Sequence, residues 1–415
     1  MSIEGAVKRR SLNDRMSSGH DLRVLTVVVA TPEARGGAVR AGLQLGDHLT
    51  EHVAVDTAKM RGEYDGELLE ELRLTEPVYR LPSKTLLRDL GRKIVDSPNN
   101  YSNALIWTRV ASPRPLADYD LLHLHNAVPL AGMVSVALAA RRAGVPYCVT
   151  THGISKIPNL PVSMNLSGLQ RRVFDTGFMK PYLSVLRNAR HLFALSENDA
   201  RSLRDRFPAH SISVVPNGVE ENPPTPESTQ TVERATGIPD SRPLLLFVGK
   251  LMQNKGVDDL LAAYERIEHD CSLVIVGPPQ DHRYVERIER YDSINVQYLG
   301  YTDQSTLDHL YQRAGVFVFP TRSDVFPLVM LEAMAAETPV VSTTVGGIPE
   351  QISEDTGVLV PPGDPGRLAE AVDDLLADET RRTAMGKAAY RRTKERFSWD
   401  SVAEQTAEDY RDVLR

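Results

Sequence analysis

Two lysines in one loop of this 415-residue sequence have a spacing that indicates anion binding. Lys250 and Lys255 lie in the segment KLMQNKG, which follows an apolar run and precedes a helical stretch that starts at Val257. A cation just ahead of a helix N-terminus is disfavoured by the helix dipole, so an anion is expected beside it. Two ammonium groups and free helix amides suit a diphosphate, although a solvated lysine at a loop tip explains Lys255 equally well.

A second loop places two carboxylates eight residues apart. Asp324 lies in the loop 320–326, and Glu332 is the lone charge in the apolar helical stretch that follows. A carboxylate in a helix that is apolar all round needs partners, and a ribose diol, a nearby lysine or backbone amides would each serve. Asp324 could reach a second polar group of the same ligand or cap the helix, for which Pro327 fits the first position.

The elements that must position these loops are apolar runs alternating with amphipathic stretches, the pattern of βαβ units in parallel sheets. In the first half the prediction is strand 22–30, helix 38–51 and strand 52–57, then strand 121–125, helix 129–143 and strand 146–151. In the second half it is strand 244–249, helix 257–267 and strand 273–277, then strand 316–319, helix 327–336 and strand 340–342. Ligands of such sheets bind beyond the carboxyl ends of the strands, so two doubly wound α/β domains facing each other would enclose a cleft.

Composition indicates a boundary between the two halves near residue 220. The segment 214–218 ends in a Pro-Asn-Gly turn, and residues 220–228 are rich in proline and acid, which is typical of a linker. Residues 1–219 carry a net charge of +7 and residues 220–415 one of −14, within the chain total of −7. A basic half favours polyanions or an anionic membrane, or simply has a solvated basic surface.

Composition also excludes several classes of protein. With 41% apolar and 25% charged residues the chain is globular, which excludes a disordered, collagenous or fibrous protein. The longest weakly polar run spans 127–140, shorter than the ~20 residues of a membrane-spanning helix. Residues 1–21 contain no apolar signal region and are predicted to be a loose tail. Cys148 and Cys271 both lie in or beside apolar runs, which favours a reducing cytosol over a disulfide framework.

The residues above belong to an ordered series that resembles glycosyltransferase family 4, whose fold is GT-B, two Rossmann-like doubly wound domains facing across a cleft. Asp324, seven residues and Glu332, followed by TPVVS and VGGIPE, resemble the family's E-x7-E signature, and VGKLMQNKG resembles its phosphate loop. Other matching pieces are spread along the chain: Gly36-Gly37, LHLHN at 122–126, THG at 151–153, LSE at 195–197 and PNGV at 216–219. The series spans residues 22–410, which makes it more specific than any single motif.

The resemblance implies a transferase that moves a hexose-type sugar from a nucleotide-diphosphate donor, with retention of anomeric configuration and without a required metal or other cofactor. It implies catalytic roles for Lys250, Lys255, Asp324 and His152. It implies donor contacts for Glu332, Phe326, Pro327, Leu328, Gly36 and Gly37. Within these sets the lysines would bind the diphosphate, Glu332 the ribose, and Asp324 with the 326–328 backbone the transferred sugar.

The sequence departs from the family pattern at two of these positions. Asp324 stands where glutamate is usual, and Lys250 stands where arginine is usual. Aspartate is one methylene shorter, and lysine cannot hold phosphate oxygens in the bidentate manner of arginine. The identity of the donor sugar is therefore left open.

The same resemblance divides the chain into an acceptor domain at 22–219, a donor domain at 220–395 and a C-terminal helix at 396–415 that packs back on the first domain. We expect the acceptor to be a glycan or a lipid-linked molecule. The basic segment 84–93 has the pattern of an amphipathic helix suited to an anionic membrane surface or, with equal weight, of a solvated helix. The prediction is a cytoplasmic protein, peripheral on the inner face of a membrane if that surface is used, with no nucleic-acid partner.

Two other functions share the architecture. A nucleotide-sugar epimerase would interconvert sugars without an acceptor, and a nucleotide-sugar-binding protein would bind without turnover. The first βα turn contains Gly36-Gly37 without a GxGxxG fingerprint, which disfavours a nicotinamide enzyme. His123 and His125 alternate on a predicted strand without a carboxylate or cysteine in ligand spacing, which favours packing over metal binding.

Overall fold

Two parallel β-sheets organise the chain, one in each half. The computed structural model describes residues 22–31, 34–84, 106–110, 112–125, 130–153, 168–225, 227–291 and 295–415. The strands of the first half are β1 (Arg23–Val28), β2 (Ala54–Met60), β3 (Val78–Leu81), β4 (Ser83–Lys84), β5 (Trp107–Thr108), β6 (Leu121–His125), β7 (Tyr147–Thr150), β8 (His191–Ala194) and β9 (Ile212–Val214). Seven of them form one sheet in the order β3-β2-β1-β6-β7-β8-β9, and β4 pairs with β5.

The second half contains a six-stranded parallel sheet. Its strands are β10 (Leu244–Val248), β11 (Ser272–Val276), β12 (Val296–Gly300), β13 (Val316–Phe319), β14 (Val340–Thr343) and β15 (Gly357–Val360). Their order is β12-β11-β10-β13-β14-β15. Every residue of β10, β11 and β13 is buried, as expected for strands covered by helices on both faces. The fold is therefore the doubly wound α/β pair that the sequence predicts.

Helices cover both sheets. In the first half they are α1 (Gly37–His48), α2 (Asp65–Leu72), α3 (Leu130–Ala143), α4 (Gly168–Phe174), α5 (Lys180–Asn188) and α6 (Glu197–Arg206), with a π-helical turn at Asp175–Met179 between α4 and α5. In the second half they are α7 (Glu227–Thr236), α8 (Val257–Tyr264), α9 (His282–Ile288), α10 (Gln304–Arg313), α11 (Leu328–Ala335), α12 (Ile348–Gln351), α13 (Pro365–Ala377), α14 (Glu379–Arg396) and α15 (Trp399–Leu414). No helix within these ranges combines the length and apolar character that a membrane crossing requires.

In each sheet the chain reverses direction of winding beside one central strand. β1 pairs with β2 on one side and β6 on the other, and β10 pairs with β11 and β13. The loops that leave such a switch point diverge, which opens a crevice where ligands bind. The loop that follows β10 contains Lys250 and Lys255, which are predicted to bind phosphate, and the loop that follows β13 contains Asp324.

We call residues 22–219 the first lobe, residues 220–395 the second lobe, and the segment 215–228 at their boundary the linker. The C-terminal helix lies beside the linker where the chain passes between the lobes. Helix α15 packs against α1 of the first lobe, and Trp399 is buried beneath the linker. A Cβ atom at Gly218 would lie 2.4 Å from the Trp399 ring, so only glycine permits this approach. The amide of Val219 also donates to the carbonyl of Phe397 at 2.8 Å.

Several predicted boundaries differ from those observed. The strand predicted at 52–57 is observed at Ala54–Met60. It continues through the polar residue Lys59, whose buried ammonium donates to Asp65 at 2.5 Å. The helix predicted at 257–267 ends at Tyr264, and Pro327 is the cap that precedes α11 instead of its first residue. The segment 84–93 lies outside the described residues except for Lys84, the last residue of β4.

Candidate active site

The phosphate loop predicted from the sequence lies at the carboxyl end of β10. A single 3-10 turn, Gln253–Lys255, leads into α8, and Gly256 between them has a φ of 74°. A Cβ atom at Gly256 would lie 1.8 Å from the carbonyl oxygen of Pro320, which is backbone and cannot give way. Gly256 therefore brings Lys255 against the loop that follows β13.

Lys255 and Asp324 form an ion pair in that position. The Lys255 ammonium donates to both carboxylate oxygens of Asp324 at 2.8 Å, and each side chain is mostly shielded from solvent. Thr321 donates to the same carboxylate at 2.6 Å, and the Phe319 ring centroid lies 5.4 Å from the Lys255 ammonium. Two residues that were predicted to be catalytic are thus in direct contact. Asp324 pairs with Lys255 and does not cap α11, which was the alternative.

Lys250 supplies a second positive charge to the same loop region. No carboxylate within the described residues lies at salt-bridge distance from it. Desolvation and the positive charge of Lys255 lower the pKa of Lys250 below its ordinary value. An anion bound beside both lysines would reverse that electrostatic penalty, as expected for a phosphate site.

The acidic residues of the first turn of α8 do not cancel these lysines. Asp259 accepts two hydrogen bonds from Arg322, at 2.8 and 2.7 Å, and Asp258 pairs with Arg287. Each aspartate therefore has its own arginine. The excess positive charge of Lys250 remains available to a ligand.

Glu332 projects from α11 into a partly buried position and has a tyrosine partner. The Tyr311 hydroxyl donates to its carboxylate at 2.8 Å. Burial raises the pKa of Glu332, while the nearby positive charge of Arg40 and the hydrogen bond from Tyr311 oppose that rise. Arg40 belongs to the first lobe, so the electrostatics of the predicted ribose contact depend on both lobes.

The predicted residues of the first lobe face the second lobe directly. A Cβ atom at Gly37 would lie 3.5 Å from Leu328, and one at Gly153 would lie 2.6 Å from Val325. Gly36 caps α1 without a side-chain hydrogen bond, as its lack of a side chain requires. Of the predicted donor contacts, Gly37 and Leu328 are therefore brought together across the cleft, whereas a Cβ atom at Gly36 would have no neighbour within 4 Å.

Two further contacts hold the lobes against each other. The Asn217 side chain in the linker donates to the carbonyl of Phe326 at 2.9 Å. The Arg35 guanidinium, which lies 3.7 Å from the ring centroid of Tyr64 in its own lobe, is 5.0 Å from the ring centroid of Tyr301 in the second lobe. The two lobes are thus in contact in the described conformation.

His152 has an unusual backbone and a buried ring nitrogen. Its φ is 49°, a left-handed conformation that is strained for a residue with a side chain and that is enriched at functional sites. Its Nε2 atom is buried without a protein partner among the described residues. Desolvation lowers its pKa to about 4, so the ring is neutral at neutral pH.

His123 and His125 are buried, in agreement with a packing role, but their surroundings are polar. The His123 ring hydrogen-bonds the Tyr410 hydroxyl at 2.6 Å and the Thr150 hydroxyl at 2.8 Å. Within the described ranges, no group of three or more His, Cys, Asp or Glu side chains is arranged to hold a metal ion. Cys148 and Cys271 are free and buried.

Two contributors to the site were not predicted. Thr321 lies three residues before Asp324, a spacing from which its hydrogen bond could have been proposed. Tyr311 lies 21 residues before Glu332 on another helix, and no local pattern connects them.

Comparisons with known proteins identify the class. The family model described as Glycosyltransferase Family 4 matches residues 35–222, and the one described as Glycosyl transferases group 1 matches residues 228–392. The chain is 32% identical over 316 residues to a D-inositol 3-phosphate glycosyltransferase of Acidothermus cellulolyticus, a match that covers 71% of this chain and 68% of that protein. The chain therefore belongs to this glycosyltransferase family, whose members transfer sugars.

A second relative and a solved structure are also similar to this chain. An uncharacterized glycosyltransferase of Methanocaldococcus jannaschii is 36% identical over 183 residues, but the match spans only 47% of that protein and 43% of this chain. A crystal structure of Anabaena HepE in complex with UDP-glucose superposes with a TM-score of 0.69 at 17% identity, and the match covers 94% of this chain and 99% of that one. This likeness establishes the GT-B fold.

Proposed function

We propose that this chain transfers a hexose-type sugar from a nucleotide-diphosphate donor to an acceptor hydroxyl, with retention of the anomeric configuration. The observation that carries the proposal is the cluster of Lys250, Lys255 and Asp324 at the carboxyl edge of the second sheet. Two ammonium groups with one carboxylate form a site for an anion that bears a hydroxylated group. The shared fold with HepE, whose crystal structure contains UDP-glucose, supports such a donor.

The Lys255–Asp324 pair suggests how the donor would be bound. A diphosphate next to Lys255 competes with Asp324 for the ammonium hydrogens, since an ammonium has three donors to share. Asp324 then has oxygen lone pairs available for hydroxyls of the transferred sugar. Glu332, already turned towards Tyr311, would accept from the ribose diol.

The chemistry follows from the charge that develops on the leaving group. The bond between the anomeric carbon and the β-phosphate oxygen breaks, and the diphosphate gains negative charge while the sugar becomes oxocarbenium-like. Preorganised cations stabilise that transition state more than the bound donor, which accelerates the step. The acceptor oxygen then bonds to the same face of the sugar and passes its proton to the departing diphosphate, so the configuration is retained.

The acceptor would approach from the first lobe. We propose a glycan or a lipid-linked acceptor, because the half of the chain that contains this lobe carries a net charge of +7 and would attract phosphorylated molecules or an anionic membrane surface. His152 would hydrogen-bond the donor sugar or the acceptor hydroxyl.

A panel of uridine, guanosine and adenosine diphosphate sugars tests the proposal. Thermal shift identifies the donor that binds, released nucleotide reports turnover, and the anomeric proton coupling of the product reports retention. Interconversion of the sugar without an acceptor would instead identify an epimerase. Tight donor binding with no transfer to any glycan or lipid-linked acceptor would identify a binding protein.

A further inference from the structure

A small cavity lies beneath His152 inside the first lobe. Its volume is about 20 Å³, which accommodates one water molecule. His123, His125, Thr150 and His152 supply polar atoms to its lining, and α1, the linker and α15 supply most of the rest, including the polar residues Asn217 and Thr406. The Asn217 amide and the Thr406 hydroxyl already donate to backbone carbonyls, those of Phe326 and Val402. A water needs two to four polar partners, and this lining offers them.

One end of the lining is a defined hydrogen-bond chain. His123 is neutral, because desolvation and the neighbouring His152 and His191 lower its pKa to about 3. A neutral imidazole has one donor and one acceptor nitrogen. When the Tyr410 hydroxyl donates to Nδ1 of His123, the Nε2 of that ring carries the hydrogen and donates to the Thr150 oxygen. The Thr150 hydrogen is then free to donate into the cavity.

The other end of the lining contains polar atoms that lack protein partners. Nε2 of His152 and both ring nitrogens of His125 are buried without a hydrogen bond to any described residue. The His125 ring centroid lies 4.0 Å from that of His123 and 6.0 Å from that of His152. Buried polar atoms without partners are costly, so an unfilled polar cavity here would be unfavourable.

We propose that a water bound in this cavity accepts the Thr150 hydrogen and donates to Nε2 of His152, so that Tyr410, His123 and Thr150 act as positioning residues for His152. The His152 ring then carries its hydrogen on Nδ1, as a donor to a hydroxyl of the donor sugar or acceptor. This assignment rests on the proposed transferase function. It gives Tyr410 of helix α15 an indirect effect on the cleft, through His123, Thr150 and the water.

Tyr410→Phe tests the chain, with Tyr147→Phe as its matched control. Tyr147 is also buried in the first lobe and also makes one hydrogen bond, to the Val185 carbonyl at 2.8 Å, but it does not touch the cavity. We expect Tyr410→Phe to lower kcat about fivefold, the effect of one hydrogen bond, with the donor KM within about twofold of the wild type. Tyr147→Phe should leave both constants unchanged.

A second pair of variants guards against loss of folding. Thr150→Val removes the hydroxyl at nearly constant volume and should reproduce the kcat loss, whereas Thr150→Ser keeps the hydroxyl and should restore activity. Equal losses in Thr150→Val and Thr150→Ser, or in the two tyrosine variants, would overturn the proposal.

Ring nitrogen-15 shifts of the histidines provide a readout that does not need turnover. We expect the wild type to show His152 as the Nδ1–H tautomer and Tyr410→Phe to show a mixture of tautomers. Unchanged His152 shifts in Tyr410→Phe would overturn the proposal even if kcat fell. If the wild type transfers no sugar but the tautomer change appears in Tyr410→Phe, the transferase function is refuted and the hydrogen-bond chain is retained.

Discussion

The carboxyl edges of the two sheets carry different chemistry. At the edge of the second sheet, Lys250, Lys255 and Asp324 are charged, and one pair of them is held at 2.8 Å. At the edge of the first sheet, His125 and His152 are neutral, because desolvation lowers the pKa of each ring far below neutrality. The first arrangement suits an anion, and the second suits hydrogen bonding without a change of charge.

The difference shows how burial selects the role of a titratable group. An ammonium beside a carboxylate keeps its charge in a partly buried site, since the partner compensates for lost hydration. An imidazole buried among other imidazoles has no such partner and stays neutral. In the proposed function, the second lobe would offer charge to a leaving diphosphate, and the first lobe would offer neutral hydrogen-bonding groups to hydroxyls.

Removal of the Lys255 charge should lower activity more than any other change at either edge. We expect Lys255→Ala to lower kcat by about 100-fold or more, as with other preorganised groups that stabilise transition-state charge. Lys394→Ala is the matched control, because that lysine pairs with Glu221 on the surface of the same half. Normal steady-state kinetics for Lys255→Ala would remove the diphosphate assignment.

Removal of the His152 ring tests the neutral edge. We expect His152→Ala to lower kcat about tenfold through loss of one hydrogen bond. A pKa of about 4 means that the ring does not titrate between about pH 5 and pH 8, so His152 should contribute no limb to the pH–rate profile of the protein in that range. The exposed His282 provides the control substitution His282→Ala. An acid limb near pH 6.5 that vanishes in His152→Ala would show a charged His152 and break the comparison.

Neutralisation of Glu332 should weaken donor binding about tenfold, the effect of a hydrogen bond to a charged group. Calorimetric titration of Glu332→Gln with the donor would measure it, with the exposed Glu404→Gln as control. Burial raises the pKa of Glu332 above its ordinary 4.5, so wild-type affinity should fall on acidification at a pH above that value. The same fall in Glu332→Gln would assign it to another group.

His48 sharpens the comparison as a first-lobe histidine that does have carboxylate partners. Burial opposes its protonation, but hydrogen bonds with Glu220 at 2.8 Å and Asp400 at 2.9 Å raise its pKa above the ordinary 6.5. Its stabilisation is therefore present below pH 6.5 and is lost as the pH rises through the folded-state value.

We expect His48→Gln to lower the free energy of unfolding by no more than about 1 kcal/mol at pH 6, because both carboxylates are largely exposed. Urea unfolding at pH 6 and pH 9 would measure the difference, which should shrink at the higher pH. A difference that grows with pH would contradict a protonated His48.

The sequence was sufficient to predict both sheets and the loops that carry the charged site. Runs such as LLLFV and VFVF are apolar throughout, and polar residues directly after them lie at the carboxyl edge by the geometry of parallel strands. Lys255 and Asp324 could therefore be placed in one site. Their direct pairing could not, because it depends on the close approach of Gly256 to Pro320.

Contacts between distant segments were beyond sequence reasoning. His123 and Tyr410 are 287 residues apart, and the periodicity of β6 indicates only that both of its histidines are buried. The contact between Gly153 and Val325 likewise depends on the way the two lobes meet.

The sequence alone determined which residues follow apolar strands, because a local hydrophobic pattern is sufficient to identify a buried strand. It therefore also determined the two α/β domains and the types of side chain available at each edge. The tertiary structure alone decided that the buried histidines are neutral and which residues the side chains of the two edges contact. Desolvation and pairing depend on neighbours from other parts of the chain, such as Tyr311 for Glu332 and Tyr410 for His123.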